Sequence, residues 1–211
     1  MNFDRQSSII NTKELRITKL SKKFWSALVN AGHITDLKLC SCDGFSENIS
    51  EISKLNNLQK LSLAQLDISD RIKLLILPST VTSLSITAAN CSDWSLLPVL
   101  PHIKDFKYKK MVTSDVVKIL MKLPNVDAAE LKASNDDELT EIKRFFQGDT
   151  KLKSLQLFIN DDISLSCLED VAEELVSDDL VVTVDYDGHI AHDEINRVMR
   201  EAGVRYRFRP R

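Results

Sequence analysis

Apolar residues recur along this chain in a short phrase that is restated at intervals. Ile34, Leu37 and Leu39 lead to Cys42; Leu58, Leu61, Leu63 and Leu66 keep the same spacing, and so do Leu152, Leu155, Leu157 and Asn160. Weaker copies are Val81/Leu84/Ile86/Ala89, Ile103/Phe106/Tyr108/Met111 and Val126/Ala129/Leu131/Ser134. Two less regular ones begin at Thr12 (Leu15, Ile17, Leu20) and at Asp179 (Val182, Val184), and Val204 to Arg209 closes the series. The phrases start at residues 12, 34, 58, 81, 103, 126, 152, 179 and about 203, in steps of 22 to 27 residues. A fixed period of this size marks a repeat architecture and overrides a domain count made from length.

Each phrase predicts a short strand, because alternate residues of a strand point to opposite faces. Leu61 and Leu63 are expected inward, with Lys60, Ser62 and Ala64 exposed. The stretches between phrases then have to bring the chain back. Residues 21–32 carry Phe24, Trp25, Leu28 and Val29 at helical spacing between a serine and a glycine, which predicts a short amphipathic helix. Similar helices are predicted over 114–123 (Val117, Leu120, Met121), 137–148 (Leu139, Ile142, Phe145, Phe146), 165–175 (Leu168, Val171, Leu175) and 193–203 (Ile195, Val198, Met199, Ala202). The middle returns, 74–78 and 96–101, are short and punctuated by proline, so 3₁₀ turns or extended pieces are expected there.

The phrase LxxLxLxx followed by asparagine or cysteine resembles the leucine-rich-repeat family, and the resemblance runs from about residue 10 to the end. It implies an α/β solenoid of eight to nine repeats, with a parallel sheet on the concave face and helices or 3₁₀ turns on the convex face. Residues 1–11 are then an N-terminal segment and 12–211 a single repeat domain. The ninth position departs from the family pattern: it reads Leu20, Cys42, Leu66, Ala89, Met111, Ser134, Asn160 and Asp187, so there is no asparagine ladder. The longer C-terminal steps resemble the intracellular repeats of ribonuclease inhibitor, of NLR innate-immune receptors and of F-box substrate receptors.

Composition narrows the setting. The 211 residues are 43% hydrophobic, enough for a substantial core, and the net charge of -3 gives no support to a general nucleic-acid or membrane-surface binder. No apolar run approaches the roughly 20 residues of a membrane span. The start, MNFDRQSSII, has no secretory signature, and Cys40, Cys42, Cys91 and Cys167 form no paired framework, so a reducing, cytoplasmic location is expected.

Function is sought on the outward strand positions, since a fold hosts many activities. Repeats three and four present small groups (Ser62, Ala64, Ser83, Ser85, Thr87), whereas repeats five and six present Lys104, Lys107, Lys109, Lys110 and Lys132. Tyr108 falls on an inward position, so the lysines do not form a nucleic-acid stacking platform with it. These lysines read either as a solvated strand face or as a patch for an acidic protein segment. Gln156 and Phe158 fall outward in repeat seven, where Phe158 would be an aromatic anchor. Arg205 and Arg207 alternate with apolar residues on the last strand; they discourage strand addition at an open edge, or bind acidic groups.

Catalytic patterns are weak. Cys40-Ser41-Cys42 lacks a second pair for zinc, and His189-x-x-His192 has the wrong spacing for a helical zinc site and reads as a helix entry. No phosphate-binding glycine loop occurs, so no cofactor or metal is expected and an enzyme is the least favoured class. The expected function is protein recognition on the concave face, in the role of the sensor domain of an NLR-like receptor. The alternatives are an F-box-type ubiquitin-ligase substrate subunit and an RNA or anionic-surface binder using the local basic patches.

Overall fold

A computed structural model describes residues 14–17, 22–30, 32–42, 45–109, 113–148, 151–187 and 191–210. The chain divides into two compact units, Met1–Met111 and Val112–Arg211.

In the first unit the strands are β1 (Glu14–Ile17), β2 (Asp36–Cys40), β3 (Lys60–Ala64), β4 (Ser83–Thr87) and β5 (Asp105–Lys109). They pair in sequence order and all in parallel, so Leu37 faces Leu61, Leu61 faces Leu84 and Leu84 faces Phe106. Every one of these is a phrase residue, and the alternation fixes the register because a slip by one would turn all of them to solvent. Leu37, Leu39, Leu61, Leu63, Leu84, Ile86, Phe106 and Tyr108 are buried. The returns are α1 (Lys22–Asn30), then the four-residue α2 (Phe45–Asn48) running into a 3₁₀ turn at Ile49–Lys54, then 3₁₀ turns at Ser69–Leu74 and Trp94–Leu96. The middle returns thus take the 3₁₀ and extended form that Pro78, Pro98 and Pro101 require. Each turn plants one or two anchors in the core: Ile49 and Ile52, then Ile72, then Trp94.

In the second unit β6 (Ala128–Asn135), β7 (Ser154–Asp162), β8 (Val181–Asp187) and β9 (Tyr206–Pro210) are again parallel and in sequence order. Here the returns are helices: α3 (Thr113–Leu120), α4 (Asp136–Phe146), α5 (Leu165–Glu174) and α6 (His192–Glu201). Their apolar stripes, such as Leu139/Ile142/Phe146 and Ile195/Val198/Met199, are buried, as the helical spacing predicts. Asn135 caps α4 by accepting from the Glu138 N–H at 2.9 Å, and the Glu138 carboxylate accepts from the Ser134 N–H at 2.7 Å. Ser164 caps α5, accepting from the Cys167 N–H, while Asp136 of the preceding helix accepts from both the N–H and the hydroxyl of Ser164 at 2.7 Å. One cap therefore holds the next.

Three details differ from the sequence reading. Ala64, expected to be exposed, is buried: it lies between Cys40 and Thr87 in register, whose longer side chains flank its methyl group. Met121, placed on the apolar stripe of its helix, is 69% exposed because α3 ends at Leu120. The absent asparagine ladder is replaced by backbone bonding. The Asn90 N–H donates to the Leu66 carbonyl and the Ile68 N–H to the Asn90 carbonyl, both at 2.8 Å, while Leu66 only fills space. The ninth-position residues Leu20, Met111 and Asp187 bear on this point too, but Leu20 and Met111, like the Asp187 side chain, lie outside what is described.

Candidate functional site

In a parallel strand stack, the outward side chains form rows across neighbouring strands about 4.8 Å apart. In the second unit one row runs Glu130, Gln156, Thr183, Arg207 and the next runs Lys132, Phe158, Asp185. Lys132 is exposed, Gln156 and Phe158 are half-buried, and Arg207 is exposed two strands from Gln156. Asp185 is the one that sequence reasoning missed. It has the outward parity of a solvated strand carboxylate, yet it is only 6% exposed. The Gln156 amide donates to its Oδ2 at 2.6 Å, supplying a hydrogen bond that a carboxylate removed from water needs. Nothing in the one-letter pattern links residues 29 apart, so only the register could reveal the pair.

Arg205 is committed elsewhere: its Nη1 donates to the Asp178 carbonyl at 2.5 Å, tying the strand entry to the loop before β8. Its own carbonyl accepts from the Val182 N–H at 2.8 Å. In the first unit Lys107 is exposed on β5, with its Nζ 4.0 Å from the Asp105 carboxylate, which also accepts from the Ser83 hydroxyl at 3.0 Å. Lys104 precedes that strand, its side chain exposed and its N–H donating to the Thr82 carbonyl. Lys109 pairs through its backbone with Thr87, and its side chain lies outside the described ones. The outward lysines of the first unit are interleaved with carboxylates, as Lys60 is with Asp36 at 3.3 Å, so that face is a mosaic of charge.

In both units each strand carries the phrase residues in register with the same phrase residues of its neighbours, and a return segment that buries the opposite side leads from each strand to the next. The fold is the leucine-rich repeat. The step between registered partners is 22 residues from Leu15 to Leu37, 24 from Leu37 to Leu61 and 27 from Leu157 to Val184. No family model and no curated protein matches the sequence. Among solved structures, similarity extends to an internalin C2 from Listeria monocytogenes at 13% identity, with a TM-score of 0.45, over 98% of this chain and 84% of that one. An internalin of the same organism is similar at 13% identity and a TM-score of 0.43, over 97% of this chain and 63% of that one.

The other chemical candidates of this leucine-rich-repeat chain resolve individually. Ser41 turns left-handed (φ 49°) between Cys40 and Cys42, so one cysteine is half-buried on the strand and the other is buried, its thiol donating towards the Cys40 carbonyl at 3.5 Å. Burial pushes the Cys167 thiol above its ordinary pKa; a hydrogen bond with the Thr140 hydroxyl works against that, and the carboxylates of Asp136 and Asp170 reinforce it, so the thiolate is disfavoured. His189 lies outside the described residues, while His192 opens α6, with Asp193 and Glu194 in its first turn favouring the helix dipole. An open groove of about 290 Å³ beside α4 is lined by Ser114, Asp137, Glu138, Thr140, Glu141 and Arg144, with Arg144 paired to Glu141. Among the described residues no group of three or more His, Cys, Asp or Glu is placed to hold a metal, and no helix is long and apolar enough to cross a membrane.

Proposed function

We propose that this chain is a protein-recognition module whose partner binds on the outward strand face, centred in the second unit on Phe158. The supporting observation is the setting of that ring. It stands on a central strand, half-buried, between Lys132 and the buried Asp185–Gln156 pair, with Arg207 further along the face. An aromatic side chain held rigidly and rimmed by polar groups is the composition of an interface hot spot. The partner is an acidic protein segment, since among the described residues Lys132 and Arg207 are the fully exposed charges of this face and the Asp185 carboxylate is withdrawn beneath it. The role of a sensor domain in an intracellular receptor, which the family resemblance implies, belongs to this proposal.

The test is affinity capture with three equally folded proteins: the parent chain, a Phe158→Ala/Lys132→Glu variant, and an Arg144→Glu variant on the helical side. A partner retained by the first and third and lost by the second supports the reading. Truncation of a central aromatic anchor weakens binding by about 2 kcal/mol or more. Equal capture by all three overturns it. A steep fall of binding with salt, together with displacement by RNA, would favour the nucleic-acid alternative instead.

A further inference from the structure

The exposed large apolar residues are unevenly placed. Among the described residues they are Leu74, Ile76, Leu96, Val99, Met121 and Val176, and the first four fall in two consecutive returns of the first unit. Registered partners on β4 and β5 are 22 residues apart, as Ser83 and Asp105 are, so Leu74 and Leu96 hold equivalent places in adjacent repeats. Ile76 and Val99 are 59% and 60% exposed, on stretches that Pro78 and Pro98 keep out of a helix. Beside this strip stand Arg71 and Lys73 on the 3₁₀ turn Ser69–Leu74, both exposed and neither in an ion pair among the described residues. By contrast, Lys54, Lys60 and Lys107 of the same unit each lie against a carboxylate. An apolar strip flanked by cations that no described carboxylate pairs calls for an apolar group flanked by carboxylates.

The second unit carries such a group on its own return side. Helices α4, α5 and α6 hold eleven carboxylates against four lysine and arginine side chains. At the exit of α5 the sequence Glu173-Glu174-Leu175-Val176-Ser177-Asp178-Asp179 places Val176, 52% exposed, among the exposed carboxylates of Glu173, Asp178 and Asp179. We infer that the chain self-associates head to tail, with the α5 exit of one copy seated on the Leu74/Ile76/Leu96/Val99 strip of the next. The contact joins two different surfaces, so it is heterologous and adds copies in series. Its apolar area is small, which puts the association in the weak class that responds to concentration and salt. It leaves the strand face open for the partner proposed above.

Two variants test it: Arg71→Glu/Lys73→Glu, which reverses the basic surface, and Glu173→Lys/Asp179→Lys, which reverses the acidic one. In sedimentation velocity the parent chain should grow in mass from micromolar to millimolar concentration, and each variant alone should associate at least about tenfold more weakly. Each variant keeps one native surface and their reversed surfaces also complement each other, so an equimolar mixture should regain the serial association that neither variant shows alone. A chain carrying all four changes should recover the parent's self-association. A parent chain that stays monomeric throughout overturns the inference. So does a mixture that stays as dissociated as either variant alone, or a pair of variants that associate like the parent.

Discussion

The two units run the same strand phrase through different returns, and repeat length does not account for the difference. The β2-to-β3 and β8-to-β9 steps are both 24 residues, from Leu37 to Leu61 and from Val184 to Phe208. The first contains only a four-residue helix and a 3₁₀ turn, and the second contains the ten-residue α6. The 43–57 stretch is rich in serine and asparagine, which are poor in helix interiors, whereas α6 has acids in its first turn and Arg200 in its last. Local propensity therefore selects the return, once the period has fixed the strands.

That difference shows most strongly in how the returns are anchored. The Trp94–Leu96 turn has one fully buried large side chain, Trp94, while α5 shares its burial among Leu168, Val171 and Ala172. Trp94→Ala should cost about 3–5 kcal/mol, at or above Leu168→Ala at about 2–5 kcal/mol. Because repeats contact chiefly their neighbours, the loss should stay local. Hydrogen exchange should show Trp94→Ala loosening β4 and β5 while β7 and β8 keep their protection, and Leu168→Ala doing the reverse. Equal loosening of both units by either change would mean that the comparison has no energetic content.

Strand exits divide the units as well, with a smaller expected effect. In the first unit Ser41, Gln65 and Ala88 follow β2, β3 and β4 with φ of 49°, 51° and 48°, and among the described residues of the second unit only Gly203 has positive φ. Instead, β6 passes straight into α4 through the Asn135 cap. A left-handed alanine costs about 1–2 kcal/mol, and glycine gives back about 0.5–1 kcal/mol of that through its greater freedom in the unfolded chain. Ala88→Gly should therefore raise stability by up to about 1 kcal/mol, while Ser134→Gly at the exit of β6 should lower it by about 0.5–1 kcal/mol. Urea midpoints moving in opposite directions are the expected result; a shared direction would show that the exits are equivalent.

The strands and helices were legible because both declare themselves by spacing: Leu61/Leu63 by alternation, Leu139/Ile142/Phe146 by the helical period. The left-handed exits were not, because serine, glutamine and alanine stand where glycine or asparagine would announce such a backbone. Of the candidate face, the outward parity of Lys132, Gln156 and Phe158 could be read directly. The withdrawal of Asp185 and the commitment of Arg205 to the Asp178 carbonyl could not, since both depend on which residue a neighbouring repeat brings alongside. The exposed strip at Leu74 and Val99 was hidden for the opposite reason. A run such as Leu74-Leu75-Ile76-Leu77 looks like core, and only the extended backbone that follows the 3₁₀ turn sets alternate members outward.

The smallest expected effect concerns His102, at the return between β4 and β5, for which the helical unit offers no counterpart among its described residues. Its Nε2 is buried without a hydrogen-bond partner among the described residues, and burial holds its pKa below the ordinary 6.5. The sign follows from proton binding. Above pH 6.5 the imidazole is neutral in both the folded and the unfolded chain and contributes no slope. As pH falls below 6.5 the unfolded chain takes up a proton that the folded chain resists, so stability declines until the pH passes below the folded pKa and both states are protonated. His102→Gln should remove this component, leaving a flatter dependence of the urea midpoint on pH just below 6.5 with little change above it. The measurement is a pair of urea titrations across that window. An unchanged slope in the variant would leave His102 as packing alone.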